Sequence, residues 1–302
     1  MRAAAIVGLQ TSGSDLEPFQ KQPQLDWTVG LPSRRDDADV ILVFGGDGTI
    51  HRHLRELVRL RRPILVIPCG SGNDFARALR LQRVRDSLAV WQKFLKLRRA
   101  ETIDLGTITP IGRNSMANSS DPAGVARYFC CAGACGLGSD AARRANHLPY
   151  WLRARGGYAL SLLGALRRFE PVPMRVERPG AGSATEFRPM MLAVFANTPF
   201  YGGGMRLAPR AAIDDHRLDF CFVPRMNKVR LSYLFPTVYY GGHLKIPEVE
   251  YFQADRLRLE TERPVEVYAD GECVSYADRG GSRTSRARGD YKPCLEARCL
   301  RG

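Results

Sequence analysis

The motif GGDGT, residues 45–49, constrains the fold of this chain more than any other stretch. It follows the uninterrupted apolar run of residues 40–44, and a strand without polar alternation is typical of a parallel sheet that is covered on both faces. Directly after the motif, Ile50, Leu54 and Leu57 recur at helical spacing and define one apolar face. The glycines are therefore predicted to lie at a strand-to-helix turn.

Such a turn is suited to phosphate, because glycine lets a ligand approach the main chain and a helix N-terminus attracts anions. Asp47 is the unexpected residue in the motif. A carboxylate beside phosphate needs an intervening cation or a hydrogen-bond donor, so a divalent ion is a natural companion. The alternative is a tight Asp-Gly turn that binds nothing. The chain contains no GxxxxGK[ST] motif and no HRD-type catalytic loop, which argues against P-loop enzymes and protein kinases.

A second unit of the same kind follows. The apolar run of residues 63–68 leads into Gly70-Ser71-Gly72, and Asn73 is positioned to cap a helix that continues to Leu79. Two successive strand–glycine–helix units predict a parallel α/β domain with both turns at one sheet edge. Open sheets of this type bind ligands at the carboxyl ends of their strands.

The remaining pattern predicts a second domain. Before the motif, residues 3–7 suit a short strand and residues 10–36 are polar without a clear period, while Val84, Leu88, Trp91 and Leu95 predict another helix. After a loop at residues 112–124, short strands are predicted at residues 128–132, 174–177, 190–196, 218–223, 257–260 and 265–269, with a hairpin turn at residues 179–182. We therefore expect a Rossmann-like α/β domain with a parallel sheet over residues 1–112 and a β-rich antiparallel domain over residues 125–302. The basic residues after Ser282 are expected to form a mobile tail.

Charge indicates the kind of partner. The 302 residues carry a net charge of +14, which favours nucleic acid or anionic lipid without choosing between them. Residues 141–169 contain six arginines and no acidic residue, interleaved with apolar and aromatic side chains. This pattern can describe a membrane-surface helix, but from the sequence alone a helix packed on its own domain with solvated arginines is favoured. Because no apolar stretch is long enough for a membrane span or a signal peptide, an intracellular protein is expected.

At this point the motifs carry a family resemblance. GGDGT followed by PCGSGNDFARAL, residues 68–79, resembles the catalytic domain of the diacylglycerol kinase, ceramide kinase and sphingosine kinase superfamily, and most of all the soluble bacterial lipid kinases. Later blocks of that family are also matched in order: IDLG at residues 103–106, AGACGLGSDA at 132–141, a long run at 196–220 and ADGE at 269–272. NAD kinases and phosphofructokinase-like enzymes share GGDGT but lack the SGNDFA and DGE blocks.

The resemblance implies ATP-dependent phosphorylation of a lipid hydroxyl, such as that of diacylglycerol, with Mg²⁺ and an active site between a nucleotide-binding domain and a lipid-substrate domain. It assigns catalytic roles to Asp47 and to Glu272, the latter as the general base. It assigns Mg²⁺ to Asp215, with the carbonyl groups of Ala212 and Arg217. The nucleotide-binding residues that it implies are Gly45, Gly46, Asp47, Gly48, Thr49, Gly70, Ser71, Gly72, Asn73 and Asp74.

Two features depart from the family pattern. The usual Asn-Pro-x-Ser-Gly segment after the first strand is reduced to Gly8-Leu9-Gln10-Thr11-Ser12-Gly13, and His216 stands where glycine is usual. A kinase for a soluble acceptor, in the manner of NAD kinase, and a non-catalytic nucleotide- or lipid-binding relative are therefore kept as alternatives. The favoured interpretation is a cytoplasmic enzyme peripheral to the anionic inner membrane surface. Nucleic acid is not expected as a partner, and a homodimer is allowed.

Overall fold

The structure, a computed structural model, describes residues 1–9, 11–21, 25–111, 126–153, 156–178, 186–263, 265–275 and 287–301. The chain divides into two compact units. The first comprises Met1–Asp104 with Leu295–Gly302, and the second comprises Leu105–Cys294. The last residues thus belong to the first unit, whereas the sequence analysis assigned them to the second domain. The physical reason is backbone pairing, because Cys299 pairs with Ile64 and the Leu300 N–H donates to the Ile64 carbonyl at 2.9 Å.

The first unit contains a parallel sheet with helices. Its strands lie in the order β4-β3-β1-β2, and every pair among them is parallel. The strands are β1 (Arg2–Val7), β2 (Asp26–Val29), β3 (Val40–Gly45) and β4 (Ile64–Pro68). The helices are α1 (Gly13–Gln20), α2 (Asp47–Leu60), α3 (Asp74–Ala78) and α4 (Val84–Leu97), with a 3₁₀ turn at Arg35–Asp37.

Burial explains which of these elements the sequence could predict. All six residues of β3 are buried, as its unbroken apolar run requires, and α2 buries the predicted face. In contrast, α1 and β2 lie within the polar stretch of residues 10–36, for which no element was predicted. Helix α1 buries only Leu16 and Phe19, too few apolar positions to create a visible period. Tertiary contacts hold it instead, including a hydrogen bond from the Trp91 indole to the Phe19 carbonyl at 3.1 Å.

The second unit is built on antiparallel pairing, as expected. Strand β9 lies at its centre, where it pairs with β7, β8 and β10, all antiparallel. The strands are β5 (Glu101–Ile111, which begins in the first unit), β6 (Arg127–Phe129), β7 (Ala132–Gly136), β8 (Val172–Glu177), β9 (Arg188–Ala196), β10 (Leu218–Pro224), β11 (Glu250–Ala254), β12 (Leu257–Thr261), β13 (Val267–Ala269), β14 (Glu272–Ser275) and β15 (Ala287–Cys299). The helices are α5 (Leu137–Asn146), α6 (Tyr150–Arg153), α7 (Gly157–Leu166) and α8 (Lys228–Leu234), with 3₁₀ turns at Phe235–Tyr239 and Gly242–Lys245.

Three expectations concern segments at the edge of what the structure covers. The predicted loop at residues 112–124 and the hairpin turn at residues 179–182 lie outside the described residues. The tail predicted after Ser282 is partly outside them too, but from Ala287 onward it forms β15 rather than a mobile tail. Its backbone pairs antiparallel with β12. No helix within the described ranges combines the length and apolar character needed to cross a membrane.

Candidate active site

The two predicted glycine turns pack directly against each other in the first unit. They follow β3 and β4, which are parallel neighbours, so both leave the same edge of the sheet. A Cβ added to Gly46 would lie 2.8 Å from the Gly70 Cα, and one added to Gly70 would lie 2.8 Å from the Gly46 nitrogen. The Cys69 N–H also donates to the Gly45 carbonyl at 3.2 Å. Gly46 and Gly70 are therefore required, because the backbone of the opposite turn occupies the space that a side chain would need.

The Asp47 carboxylate connects the turns. Its Oδ2 accepts a hydrogen bond from the Asp74 N–H at 2.9 Å, and its Oδ1 accepts one from the Phe75 N–H at 3.0 Å. These donors belong to the first turn of α3, which has no helical partners for them. Asp47 thus caps α3 from the preceding motif, and the negative charge stabilises the positive end of that helix.

Asn73 was predicted to provide this cap, and the structure corrects that prediction. Asn73 does occupy the N-cap position, with a left-handed φ of 56°, but its side chain makes no bond to the helix. Its Oδ1 accepts from the Gly70 N–H at 2.9 Å and its Nδ2 donates to the Gly70 carbonyl at 2.7 Å. Asn73 therefore shapes the second glycine turn, since the cap position is already served by Asp47.

Asp74 points into the interior of this turn. Only 4% of its surface is exposed, and its carboxylate forms an ion pair with Arg77. A second nitrogen of that guanidinium donates to the Gly72 carbonyl at 3.3 Å. Because a buried carboxylate is costly unless it is paired, the ion pair with Arg77 offsets the burial of Asp74 at the turn. Sequence reasoning did not single out Arg77, although it stands one helical turn after Asp74.

The shortened segment after β1 lies at the same place. The Gly8 N–H donates to the Phe44 carbonyl at 2.7 Å, and the Thr11 hydroxyl donates to the same carbonyl at 3.0 Å. A Cβ on Gly8 would lie 2.8 Å from the Thr49 Oγ1. Although the segment of residues 8–13 departs from the family motif, it still contacts the GGDGT turn.

The candidate metal residues lie in the second unit. Asp215 accepts hydrogen bonds from the Arg217 N–H at 3.0 Å and from the Gln253 Nε2 at 3.1 Å. The same Gln253 nitrogen donates to Asp219 at 3.0 Å, and the Tyr251 hydroxyl also donates to Asp219. Burial raises the pKa of Asp219, an effect that these two hydrogen bonds oppose. His216 has a left-handed φ of 58°, the backbone region that favours glycine.

The oxygen atoms of these residues can be compared with the ligands that Mg²⁺ requires. The part of the chain that the structure describes contains no group of three His, Cys, Asp or Glu side chains arranged to hold a metal. Mg²⁺ does not require such a cage, because it keeps several waters and commonly uses one or two carboxylates. Asp215 and Asp219 accept hydrogen bonds from the same Gln253 nitrogen, so the two carboxylates lie close together. This set of oxygen donors fits Mg²⁺.

Glu272 begins β14 at a tight turn whose geometry is set by Asp270. Asp270 and Gly271 have left-handed φ values of 51° and 85°. The Asp270 carboxylate accepts from the N–H groups of Cys130 and Cys131 at 2.7 and 2.8 Å. The Glu272 side chain itself is exposed. The turn is therefore fixed through its first residue, while its glutamate is free to face a ligand.

A cavity of ≈ 50 Å³ with apolar walls lies in the second unit, and sequence reasoning did not foresee it. Its walls come from separated elements, including Leu162 of α7, Leu231 and Leu234 of α8, and Val223 of β10. His243 also contributes to the wall. Its Nε2 lies 3.1 Å from the Leu207 carbonyl, and its Nδ1 has no hydrogen-bond partner among the residues that the structure describes. Burial lowers the pKa of His243. The walls are apolar, but the volume is well below the roughly 300–1,000 Å³ of pockets that enclose a small-molecule ligand.

Comparison with known proteins decides the family. The diacylglycerol kinase catalytic domain family matches residues 9–108, and the YegS C-terminal NAD kinase beta sandwich-like domain family matches residues 133–279. A protein named diacylglycerol kinase from Mycobacterium tuberculosis is 32% identical over 240 residues, which cover 78% of this chain and 70% of that protein. The chain belongs to the diacylglycerol kinase family. The resemblance predicted from the motifs, to bacterial lipid kinases of this family, is confirmed.

Solved structures bear out the fold of this diacylglycerol kinase family member. A crystal structure of a diacylglycerol kinase from Bacillus anthracis superposes with a TM-score of 0.66 at 16% identity, covering 100% of this chain and 96% of that one. An NAD kinase from Archaeoglobus fulgidus, solved in complex with ATP, has a TM-score of 0.53 at 16% identity and covers 100% and 94%. The predicted combination of a parallel α/β domain and an antiparallel β-rich domain of the NAD kinase type is confirmed.

Proposed function

We propose that this protein is an ATP-dependent kinase that phosphorylates the hydroxyl group of a lipid such as diacylglycerol. The observation that carries the proposal is the pair of interlocked glycine turns in a member of the diacylglycerol kinase family. Asp47 joins these turns by accepting two backbone hydrogen bonds. A turn built this way presents main chain, rather than side chains, to a ligand.

The nucleotide would bind through its phosphates at these turns. Gly45, Gly46, Gly48 and Thr49 surround the start of α2, a helix of 14 residues whose N-terminus carries partial positive charge. The second turn would contribute Gly70, Ser71, Gly72, Asn73 and Asp74. In this role Asp47 acts by fixing the relative position of the turns, since its two oxygens already accept backbone donors. The ATP complex of the related NAD kinase fold is consistent with a nucleotide in this type of domain.

The acceptor is proposed to be a lipid because the relatives that this chain matches are named diacylglycerol kinase and lipid kinase. A small apolar cavity in the second unit is compatible with such an acceptor. Its walls come from α7, α8 and β10, and none of the wall residues is charged at neutral pH: burial lowers the pKa of His243 and favours its neutral form. With a volume of ≈ 50 Å³ the cavity has room for only a small part of an acyl chain, which apolar walls stabilise by removing it from water. The names of the relatives thus carry the choice of a lipid over a soluble acceptor, and the cavity walls are compatible with it.

The chemistry requires a base and charge neutralisation. The acceptor oxygen forms a bond to the γ-phosphorus of ATP, the bond between that phosphorus and the β–γ bridging oxygen breaks, and ADP leaves. The hydroxyl proton passes to Glu272, whose carboxylate is exposed at the DGE turn. Asp215, with the carbonyl groups of Ala212 and Arg217, would hold Mg²⁺, which neutralises phosphate charge when bound.

Location at an anionic membrane surface is part of the proposal. Its support is the net charge of +14, because cationic proteins concentrate on the anionic cytoplasmic leaflet.

One experiment separates the proposal from its alternatives. The full chain is incubated with labelled ATP, Mg²⁺ and vesicles containing diacylglycerol and other lipid alcohols, and in a parallel reaction with NAD as the acceptor. Labelled lipid, identified by mass, is the expected product. Phosphorylation of NAD alone would identify a small-molecule kinase, and ATP binding without transfer to any acceptor would identify a non-catalytic relative.

A cavity variant tests the lipid assignment more closely. Leu231→Trp would fill part of the cavity, so activity towards long-chain lipids should fall while ATP binding is retained. Leu97→Trp is the matched control, because Leu97 is 54% exposed at the end of α4. Equal loss of lipid phosphorylation in both variants would remove the cavity from the acceptor site.

A further inference from the structure

Strand β11 presents two polar side chains, those of Tyr251 and Gln253, to the segment that carries the candidate metal residues. The two residues are two positions apart on the strand, so their side chains project from the same face of the sheet. The strand register places Gln253 directly opposite Asp219 of β10. Because residues directly opposite each other in an antiparallel pair share a face, both side chains lie on the face of Asp219.

The Gln253 amide nitrogen bridges two carboxylates. It donates to the Asp215 Oδ2 at 3.1 Å and to the Asp219 Oδ2 at 3.0 Å. A primary amide nitrogen carries two hydrogens, so it can serve both oxygens at once. The two negative charges would otherwise repel each other at this short separation. Gln253 therefore fixes the position of the Asp215 carboxylate relative to β10.

Tyr251 holds the same segment at two further points. Its hydroxyl donates to the Asp219 Oδ1 and accepts a hydrogen bond from the Arg210 N–H at 3.3 Å. The Arg210 guanidinium also lies over the Tyr251 ring, 5.8 Å from its centroid. The segment of residues 210–219 is thus attached to β11 at its beginning, at Asp215 and at its end.

The two carboxylates differ in what they leave available to a cation. None of the surface of Asp219 is exposed, and each of its oxygens accepts a side-chain hydrogen bond. Asp215 is half-buried, and a carboxylate has about four lone-pair sites. Hydrogen bonds from the Arg217 N–H and from Gln253 use part of that capacity. Asp215 therefore keeps room for a cation, while Asp219 acts on it through Gln253.

We propose that Tyr251 and Gln253 are positioning residues for the cation that Asp215 would hold. This inference rests on the proposed function, in which Mg²⁺ neutralises phosphate charge. Groups that hydrogen-bond a metal-binding carboxylate orient it before the ion arrives, and their loss typically lowers metal affinity about tenfold or more. The alternative is that the two side chains only attach the edge strand β11 to its neighbour.

Isothermal titration of the full chain with MgCl₂, without ATP or lipid, tests the positioning role. Gln253→Met keeps the length of the side chain and removes both donors, so the Kd for Mg²⁺ should rise about tenfold. Tyr251→Phe should raise the Kd by a smaller factor, because its hydroxyl reaches Asp215 only through other groups. Asp215→Asn should remove the binding. Binding that survives in Asp215→Asn would overturn the proposal, because the ion would then lie elsewhere.

Glu250→Gln is the matched control on the same strand. Glu250 projects from the opposite face of β11 and pairs with Arg188 of β9 at 2.7 Å. Its replacement should lower the midpoint of thermal unfolding and leave the Kd for Mg²⁺ unchanged. A parent-like Kd for Gln253→Met would overturn the proposal. An equal rise in the Kd for Glu250→Gln would also overturn it, because a loosened strand would then explain the loss.

Turnover gives a second measure of the positioning role. Gln253→Met should need more Mg²⁺ for half-maximal lipid phosphorylation and should regain the parent rate at saturating Mg²⁺, since Asp215 itself is intact. A rate that no Mg²⁺ concentration restores would contradict the positioning role.

The inference and the proposed function fail separately. Mg²⁺ binding that Gln253→Met weakens, in a parent chain that phosphorylates no lipid, would contradict only the kinase function. Lipid phosphorylation by the parent, with equal Mg²⁺ affinity in the parent and Gln253→Met, would contradict only the positioning role.

Discussion

The carboxylate of Asp47 holds the backbone N–H of Asp74 at 2.9 Å, so two motifs separated by 27 residues form one structural element. The bond is accompanied by a second one to Phe75 at 3.0 Å. From the sequence, Asp47 was expected to act on the nucleotide. Its position as the cap of α3 gives it a structural role in addition, because it fixes both glycine turns at the ends of β3 and β4.

Replacing Asp47 should therefore affect stability as well as nucleotide binding. Asp47→Ala removes two charged acceptors from the α3 terminus, and we expect the free energy of unfolding to fall by about 2 kcal/mol. Asp47→Asn should lie between the parent and Asp47→Ala. Denaturant unfolding and ATP titration measure the two effects. Asp26→Ala, on the exposed edge strand β2, is the control, and an unchanged stability of Asp47→Ala would contradict the capping role.

The second prediction concerns the close packing of the two glycine turns. Gly70→Ala places a Cβ 2.8 Å from the Gly46 nitrogen, so the turns must separate. We expect a loss of about 1–3 kcal/mol in stability, as for other overpacked sites, together with weakened ATP binding. Thermal unfolding and ATP titration test both. Gly13→Ala is the matched control, because a Cβ there meets no atom within 4 Å; if both variants behave alike, the packing of the turns is unimportant.

Glu272 can be tested without disturbing the turn that carries it. Glu272→Gln keeps the shape of an exposed side chain and removes its basicity, so the turnover rate should fall about a hundredfold or more while ATP affinity is unchanged. Substituting Asp270 is less informative, since its carboxylate holds two backbone N–H groups. Glu262→Gln, also exposed, is the control. Near-parent turnover by Glu272→Gln would mean that another group accepts the proton.

His243 should make the stability depend on pH. Burial lowers the pKa of this histidine below its ordinary value of 6.5. Below pH 6.5 the unfolded chain therefore binds more protons at this site than the folded chain, and the folded state loses stability as the pH falls. Well above pH 6.5 the histidine is neutral in both states, so it no longer makes the stability depend on pH.

The measurement is the midpoint of thermal unfolding between about pH 7.5 and about pH 5.5. His243→Phe should show a shallower decline than the parent. Some decline should remain, because burial also lowers the pKa of His53. His147→Gln, at an exposed position, should keep the parent slope. A parent-like slope for His243→Phe would show that His243 does not titrate in this range.

The sequence by itself determined the elements whose signal is local. The unbroken apolar run of β3, the helical spacing within α2 and the glycines that follow β3 and β4 all lie within short windows. The apolar residues among them must be buried in any fold that the chain adopts. The motif blocks identified the family because they, too, lie within short stretches of sequence. Helix α4 was predicted as well, but Val90 and Phe94 are buried in place of Leu88 and Leu95. The spacing of apolar residues predicts a helix, but it does not determine which side of the helix faces the core.

Tertiary structure alone decided what depends on distant partners. Nothing near Asn73 in the sequence reveals that Asp47 supplies the α3 cap, and nothing near Asp270 reveals its bonds to Cys130 and Cys131. Helix α1 is held by contacts such as that between Trp91 and Phe19, and the apolar cavity is assembled from strands and helices far apart in the chain. Hydrogen bonds and cavity walls are satisfied by whichever groups the fold brings within reach, so these features exist only once the chain is folded.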